Sequence, residues 1–247
     1  MDRLIYLAMN GARHALSRQA STSHNLANLS TDGFRAQYNT ARAAAVLGPG
    51  QPTRTFVVDS TVGTNFAPGP IDHTGRALDI AVEGRGWIAV QTPDGSEAYT
   101  RSGALEINAN GQLQTRTGLN VLGDGGPIAI PPDTRISIGR DGTVSTIPTA
   151  GVPNITNAVG RIKLVDPAER ELVRGDDGLF RLSGRQPVPV AEDVVLASGA
   201  LERSNVNAVS AITDIISHAR QFELQIRLVQ TADQNARAAA QLLNLNA

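Results

Sequence analysis

Apolar or small residues recur at alternating steps of three and four at both ends of this chain, and nowhere in the long stretch between. Toward the C-terminus they fall at Ile212, Ile215, Ala219, Phe222, Ile226, Val229, Ala236, Ala240 and Leu243, with one polar break at Asp233. That spacing is the a/d seam of a heptad repeat. Near the N-terminus a second seam runs through Ile5, Ala8, Ala12, Ala15, Gln19, Thr22, Leu26 and Leu29. A narrow seam buries little surface alone, so each helix needs a partner. The N-terminal seam is built of alanine and the C-terminal one of bulky aliphatic and aromatic groups, which suits a close antiparallel pair. Asp233 at a core position costs stability but can fix register. A single seam in water cannot offset an ordering cost of about 1–2 kcal/mol per residue. Both termini are therefore expected to be largely disordered in the free chain, with the middle folding alone.

The first helix is predicted over residues 3–29, where Ser30-Thr31-Asp32-Gly33 breaks it and Gly33 is available for a left-handed C-terminal conformation. Ala41 to Ala45 can extend as a short helix, ended by Gly48-Pro49-Gly50-Gln51-Pro52, and Thr53 to Asp59 is β-branched and extended. From Leu78 the period changes to two. Leu78, Ile80 and Val82 alternate with Asp79 and Ala81, and Trp87 to Val90 reads as a more buried strand. Asx-Gly turns recur at Asp94-Gly95, Asn110-Gly111, Asp124-Gly125, Asp141-Gly142 and Asp177-Gly178. Short strands lie between them at 105–107, 128–130, 136–138, 162–165 and 179–182, and a last one at 194–196. Short strands with such turns predict an antiparallel all-β domain. No amphipathic helix separates them, which argues against a parallel α/β fold. Ser204, Asn205 and Asn207 are all candidate N-caps for a second helix over 208–243.

The fold class is thus mixed α and β. Coiled-coil-type helices at the N- and C-termini pair with each other and with neighbours, around a central antiparallel all-β domain. The expected division is 1–34 for the N-terminal assembly helix and its following motif, 35–74 for an extended linker or β segment, 75–200 for the β domain, and 201–247 for the C-terminal assembly helix.

Charge and composition exclude several functions. The 247 residues carry a net charge of -1, which gives no reason to propose nucleic acid or an anionic membrane as partner. Cysteine is absent, so disulfides and thiol catalysis are ruled out. No stretch approaches the roughly 20 apolar residues of a membrane span. Residues 1–16 lack the apolar core of a secretory signal. His14, His24, His73 and His218 do not pair at metal-ligand spacing. Gly84-Arg85-Gly86 opens like a dinucleotide fingerprint, yet a strand follows it where a helix is required. Asp176-Asp177-Gly178 lacks the other ligands of a calcium loop. No catalytic, cofactor-binding or metal residue is expected, and no small-molecule substrate.

Asn25-Leu26-Ala27-Asn28-Leu29-Ser30-Thr31-Asp32-Gly33-Phe34-Arg35 resembles the N-terminal signature of the bacterial flagellar axial proteins, the rod, hook and hook-associated subunits. Residues 84–95 and 99–103 resemble the central β segment shared by hook and rod proteins, and residues 199–207 the segment before their C-terminal helix. Met1 to Met9 and 161–165 look like the proximal rod branch of the basal-body rod family, with the distal rod or hook branch as the alternative. His24 departs from the asparagine or serine common there. The resemblance implies a structural rod subunit that forms the wall of the export channel across the periplasm and transmits torque. It implies partners among other rod proteins and copies of itself, and export by the flagellar type III apparatus without a cleaved signal. The assembly interface is expected to comprise Ile5, Ala8, Ala12, Ala15, Leu26, Asn28, Leu29, Gly33 and Phe34 at the N-terminal end, and Ile212, Ile215, Ala219, Phe222, Ile226, Val229, Ala236 and Leu243 at the C-terminal end. Two other classes compete. A peptidoglycan-acting enzyme would need paired carboxylates in a cleft, and Glu83, Glu97, Glu106, Asp166 and Glu169 mostly abut turns or face outward on strands. An adhesin or substrate-binding β domain would have no use for seams at both termini.

Overall fold

The computed structural model describes residues 2–45, 55–148, 156–184 and 187–244, with side chains from 5 to 241 outside those gaps and outside 59–61. The chain divides into two compact units, one of Met1–Leu29, Ala36–Asn65 and Val206–Ala247, the other of Ser30–Arg35 and Phe66–Asn205.

The first unit holds helix α1 (Asp2–Ala27), strands β1 (Gln37–Ala45) and β2 (Thr55–Thr64), and helix α2 (Ala208–Asn244). Asn207 is the N-cap of α2, its Oδ1 accepting from the Ser210 amide at 3.0 Å. At 1.5 Å per residue α2 is about 55 Å long. α1 and α2 pack on each other within one chain, so neither seam stands alone in water and the expectation of disordered termini loses its premise. The two helices are so close at Gly11 that an added Cβ would stand 2.8 Å from Gln225 Cδ. β1 and β2 form an antiparallel ribbon running from Gln37↔Thr64 to Ala45↔Thr55, with a register shift between Thr40 and Ala41. The short helix expected over 41–45 is therefore a strand. Alanine prefers a helix, but pairing with the β-branched run of β2 outweighs that preference. The Gly48–Pro52 stop, the start of the extended run at Thr53 and the Leu243 side chain lie outside the described residues.

The second unit is all β. Its strands are β3 (Ile71–His73), β4 (Ile80–Glu83), β5 (Trp87–Gln91), β6 (Glu97–Thr100), β7 (Leu105–Ile107), β8 (Leu113–Thr115), β9 (Asn120–Gly123) and β10 (Gly126–Pro127). There follow β11 (Thr134–Ile138), β12 (Thr143–Pro148), β13 (Asn157–Arg161), β14 (Leu164–Val165), β15 (Leu172–Arg174), β16 (Phe180–Leu182), β17 (Val195–Ser198) and β18 (Ala200–Glu202). The largest sheet runs β15-β16-β6-β5-β9-β8-β7, with β10 on β9 and β14 on β5, and β11-β12-β13 form a second. β17 pairs with β4 and β18 with β3, all antiparallel. Alternation along β5 sends Ile88 and Val90 into one core with Val82, Leu105, Leu113 and Val144. Trp87 and Ala89 enter a second core with Tyr99, Val165 and Phe180. A strand buried on both faces shows the continuous apolar run seen at 87–90. Of the expected strands, 128–130 is reduced to a bridge between Gln112 and Ala129.

Candidate assembly interface

On α1 the predicted seam faces inward. Ala8, Ala12 and Ala15 are buried, and Ile5, Gln19, Thr22 and Leu26 are half-buried. Leu29 lies past the helix end and is exposed. A second face of α1 is polar and holds the β ribbon. Asn25 treats β1 as a strand neighbour would, its Nδ2 donating to the Gln37 carbonyl at 2.7 Å and its Oδ1 accepting from the Gln37 amide at 2.8 Å. Ser17 Oγ accepts from Asn39 Nδ2 at 3.0 Å, and Asn10 Oδ1 from the Val57 amide at 2.9 Å. Asn28 closes the helix end, its Nδ2 donating to the His24 carbonyl at 2.9 Å.

On α2 the predicted seam needs a correction of phase. The residues turned inward are Ala211, Ile215, His218, Phe222, Gln225, Val229, Ala232, Ala236 and Ala239. The row Ile215, Phe222, Val229 and Ala236 is common to both patterns. The other predicted row is shifted by one residue, and its members point elsewhere: Ile212 is 50% exposed and Ile226 37% exposed, while Ala219 is half-buried. Asp233 is no buried register residue. Its side chain is 50% exposed and pairs with Arg237 at 2.8 Å. The helix therefore presents two rows to α1, one apolar and one of alanines with His218 and Gln225, and carries a further apolar row of Ile212, Ala219 and Ile226 outside them. Tyr6, Met9 and Leu16 of α1 and Ile216, Leu224 and Leu228 of α2 are exposed as well.

Gly33 and Phe34 belong to the β unit, apart from the helical seams. Gly33 has φ +69°, as expected, but for another reason than ending a helix. The helix ends at Ala27, and a Cβ on Gly33 would stand 2.3 Å from the Arg101 carbonyl carbon. The Gly33 amide donates to the Glu202 carbonyl at 2.7 Å. Next to it lies a cluster that sequence reasoning missed. Glu202 is buried between two buried guanidinium groups, Arg35 at 2.6 Å and Arg101 at 3.0 Å. Its Oε1 also accepts from the Gly69 amide at 2.9 Å. Arg101 donates to the Val82 and Gly84 carbonyls and stands 5.3 Å from the Trp87 ring centroid. Burial pulls the Arg101 guanidinium below its ordinary range, while Glu202 opposes that pull. Arg174 stacks 4.6 Å from the Phe34 ring centroid and donates to the Arg35 carbonyl at 2.8 Å. The signature segment 30–35 is thus pinned into the β unit by its own side chains.

Among the described residues no group of three or more His, Cys, Asp or Glu side chains could hold a metal ion. No described helix is long and apolar enough to cross a membrane. Of the carboxylates weighed for catalysis, Glu83 pairs with Arg140, Glu97 with Lys163 and Asp166 with Arg85, and Glu106 accepts from Gln114.

Terminal helices packed on each other, apolar rows left over on both, and an antiparallel β unit that takes in the signature segment fit the structural subunit of an assembly. Residues 81–146 match the flagellar hook protein FlgE/F/G D1 domain, and residues 197–242 the flagellar basal body rod FlgEFG protein C-terminal family. The flagellar basal-body rod protein FlgF of Escherichia coli (strain K12) is 48% identical, with all of both chains covered. FlgF of Salmonella typhimurium is 45% identical over the same extent. The flagellar basal-body rod protein FlgG of Buchnera aphidicola subsp. Schizaphis graminum is 30% identical, over 89% of this chain and 92% of its own. The chain belongs to the FlgF family of flagellar basal-body rod proteins, which are structural proteins and not enzymes.

Proposed function

We propose that this chain is a proximal rod subunit whose α1 and α2 pair in coiled-coil fashion and pack against the helices of neighbouring rod proteins and of its own copies. The packed helices form the wall of the export channel, and the β unit sets the spacing of subunits. The rod so built spans the periplasm and transmits torque, and the subunit reaches it through the flagellar type III export apparatus.

The observation that carries this reading is the apolar row of α2 that α1 leaves uncovered. A helix with two apolar positions per heptad is satisfied by one partner, whereas a broader apolar face belongs to a helix packed on several sides. Ile212 and Ile226 lie on that extra row and are exposed although α1 is docked.

The test is Ile226→Asp. Because Ile226 lies outside the α1-facing seam, the variant is expected to melt as the wild type does, to within roughly 0.5 kcal/mol. It is expected to be secreted but absent from purified basal bodies, and the cells to lack hooks. Normal motility with the variant incorporated overturns the reading.

A further inference from the structure

We propose that His218 makes the pairing of α1 with α2 pH-sensitive, protonation of its imidazole loosening the helices. His218 occupies a position in the α1-facing seam that heptad packing normally gives to an apolar residue, and it is 5% exposed. Its Nδ1 is buried without a hydrogen-bond partner. The charged and titratable groups acting on it are Arg18 and His14 from α1 and Asp214 one turn earlier on its own helix. The two from α1 oppose a positive charge on the ring, and only Asp214 favours it. Burial, the largest influence, also disfavours the charged form, so proton affinity in the paired state lies below the ordinary histidine value of 6.5.

The sign follows by linkage. Above about pH 6.5 the ring is neutral whether the helices are paired or apart, and pairing is at full strength. As pH falls below that value the separated chain takes up a proton before the paired chain does, and pairing weakens. The loss is complete once pH has passed below the depressed value of the paired state. The proposal rests on the intrachain helix pair alone and is independent of rod assembly.

One full-length sample reports on both units. Far-UV circular dichroism at 222 nm follows the helices, and Trp87, the only tryptophan, lies in the β unit and follows that unit by fluorescence. Between pH 7.5 and 5 the melting midpoint of the helical signal is expected to fall by about 5–10 °C, with Trp87 emission unchanged. His218→Leu is expected to flatten this dependence and His14→Gln to leave a step in place. Asp214→Asn is expected to extend the step to lower pH, since its carboxylate is the one group holding the proton. His218→Gln, which keeps a polar side chain of moderate size, provides a second neutral variant and is also expected to be flat. A wild-type midpoint that does not change with pH overturns the proposal. So does a His218→Leu or His218→Gln profile that keeps the wild-type step, or a Trp87 signal that moves with the helical one.

Discussion

Glu202 is a lone carboxylate between two buried arginines. Removing one partner of a buried ion pair leaves a charge uncompensated, which costs about 3–5 kcal/mol. Glu202→Gln leaves two guanidinium groups facing each other, so the denaturation midpoint of the β unit, read from Trp87 fluorescence, should fall by a corresponding amount. An unchanged midpoint would show the cluster to be energetically idle. Gly33 gives a second expectation. Gly33→Ala combines positive φ with a collision against the Arg101 backbone, whereas Gly95→Ala meets nothing within 4 Å and carries only the cost of its own positive φ. The latter costs about 1 kcal/mol. Gly33→Ala should therefore be the more destabilising of the two by chemical denaturation, and equal effects would reject the close-approach argument. The sequence already pointed to positive φ at Gly33. It could not point to the collision, because Arg101 is 68 positions away and nothing local marks the approach.

Along the helices, the buried face between α1 and α2 and the exposed row of α2 should respond differently. Ala15 is fully buried on α1, so Ala15→Leu overpacks the pair and should cost about 1–3 kcal/mol of helical stability by circular dichroism. Ile226→Asp should cost little by the same measurement while abolishing incorporation into basal bodies. If both variants weaken the helix pair alike, the row of Ile226 belongs to the pair interface and is not a separate surface. The existence and extent of both helices were legible from periodicity, and α2 begins where its cap candidates stood. The phase was not legible. The frame through Ile212, Ala219 and Ile226 is the more apolar, whereas the docked α1 takes the frame through Ala211, His218 and Gln225, whose polar residues hide it from an apolar pattern. β1 was misread because its alanines favour a helix locally and its partner β2 lies across a connection of several residues. Asn25 was singled out as part of the signature, but that its amide bonds to both backbone groups of Gln37 depends on a fold-back that spacing does not encode.

At the level of the molecule, the β unit does not begin where its first alternating run begins. The sequence placed the domain at 75–200, and the compact unit also takes in Ser30–Arg35, Phe66 onward, and residues up to Asn205. A protein trimmed to residues 66–205 retains every strand of the unit but lacks Arg35, Phe34 and the Gly33 amide. Its denaturation midpoint by Trp87 fluorescence should lie below that of the full chain, and adding residues 30–35 as a free peptide at high concentration should raise it by mass action. A fragment as stable as the intact protein would make the segment a passive connection.

That construction from distant stretches has a consequence in time. Arg35 emerges early from a ribosome, but its carboxylate counterpart, residue 202, is among the last fifth of the chain to be made. At an elongation rate of roughly 5–20 residues per second, the two are separated by on the order of ten seconds or more. Throughout that interval the β unit lacks the strand that pairs with β3 and the glutamate between its two arginines. Closure of the unit around Glu202 is therefore deferred nearly to completion of the polypeptide, although every strand of its largest sheet has been made by Leu182.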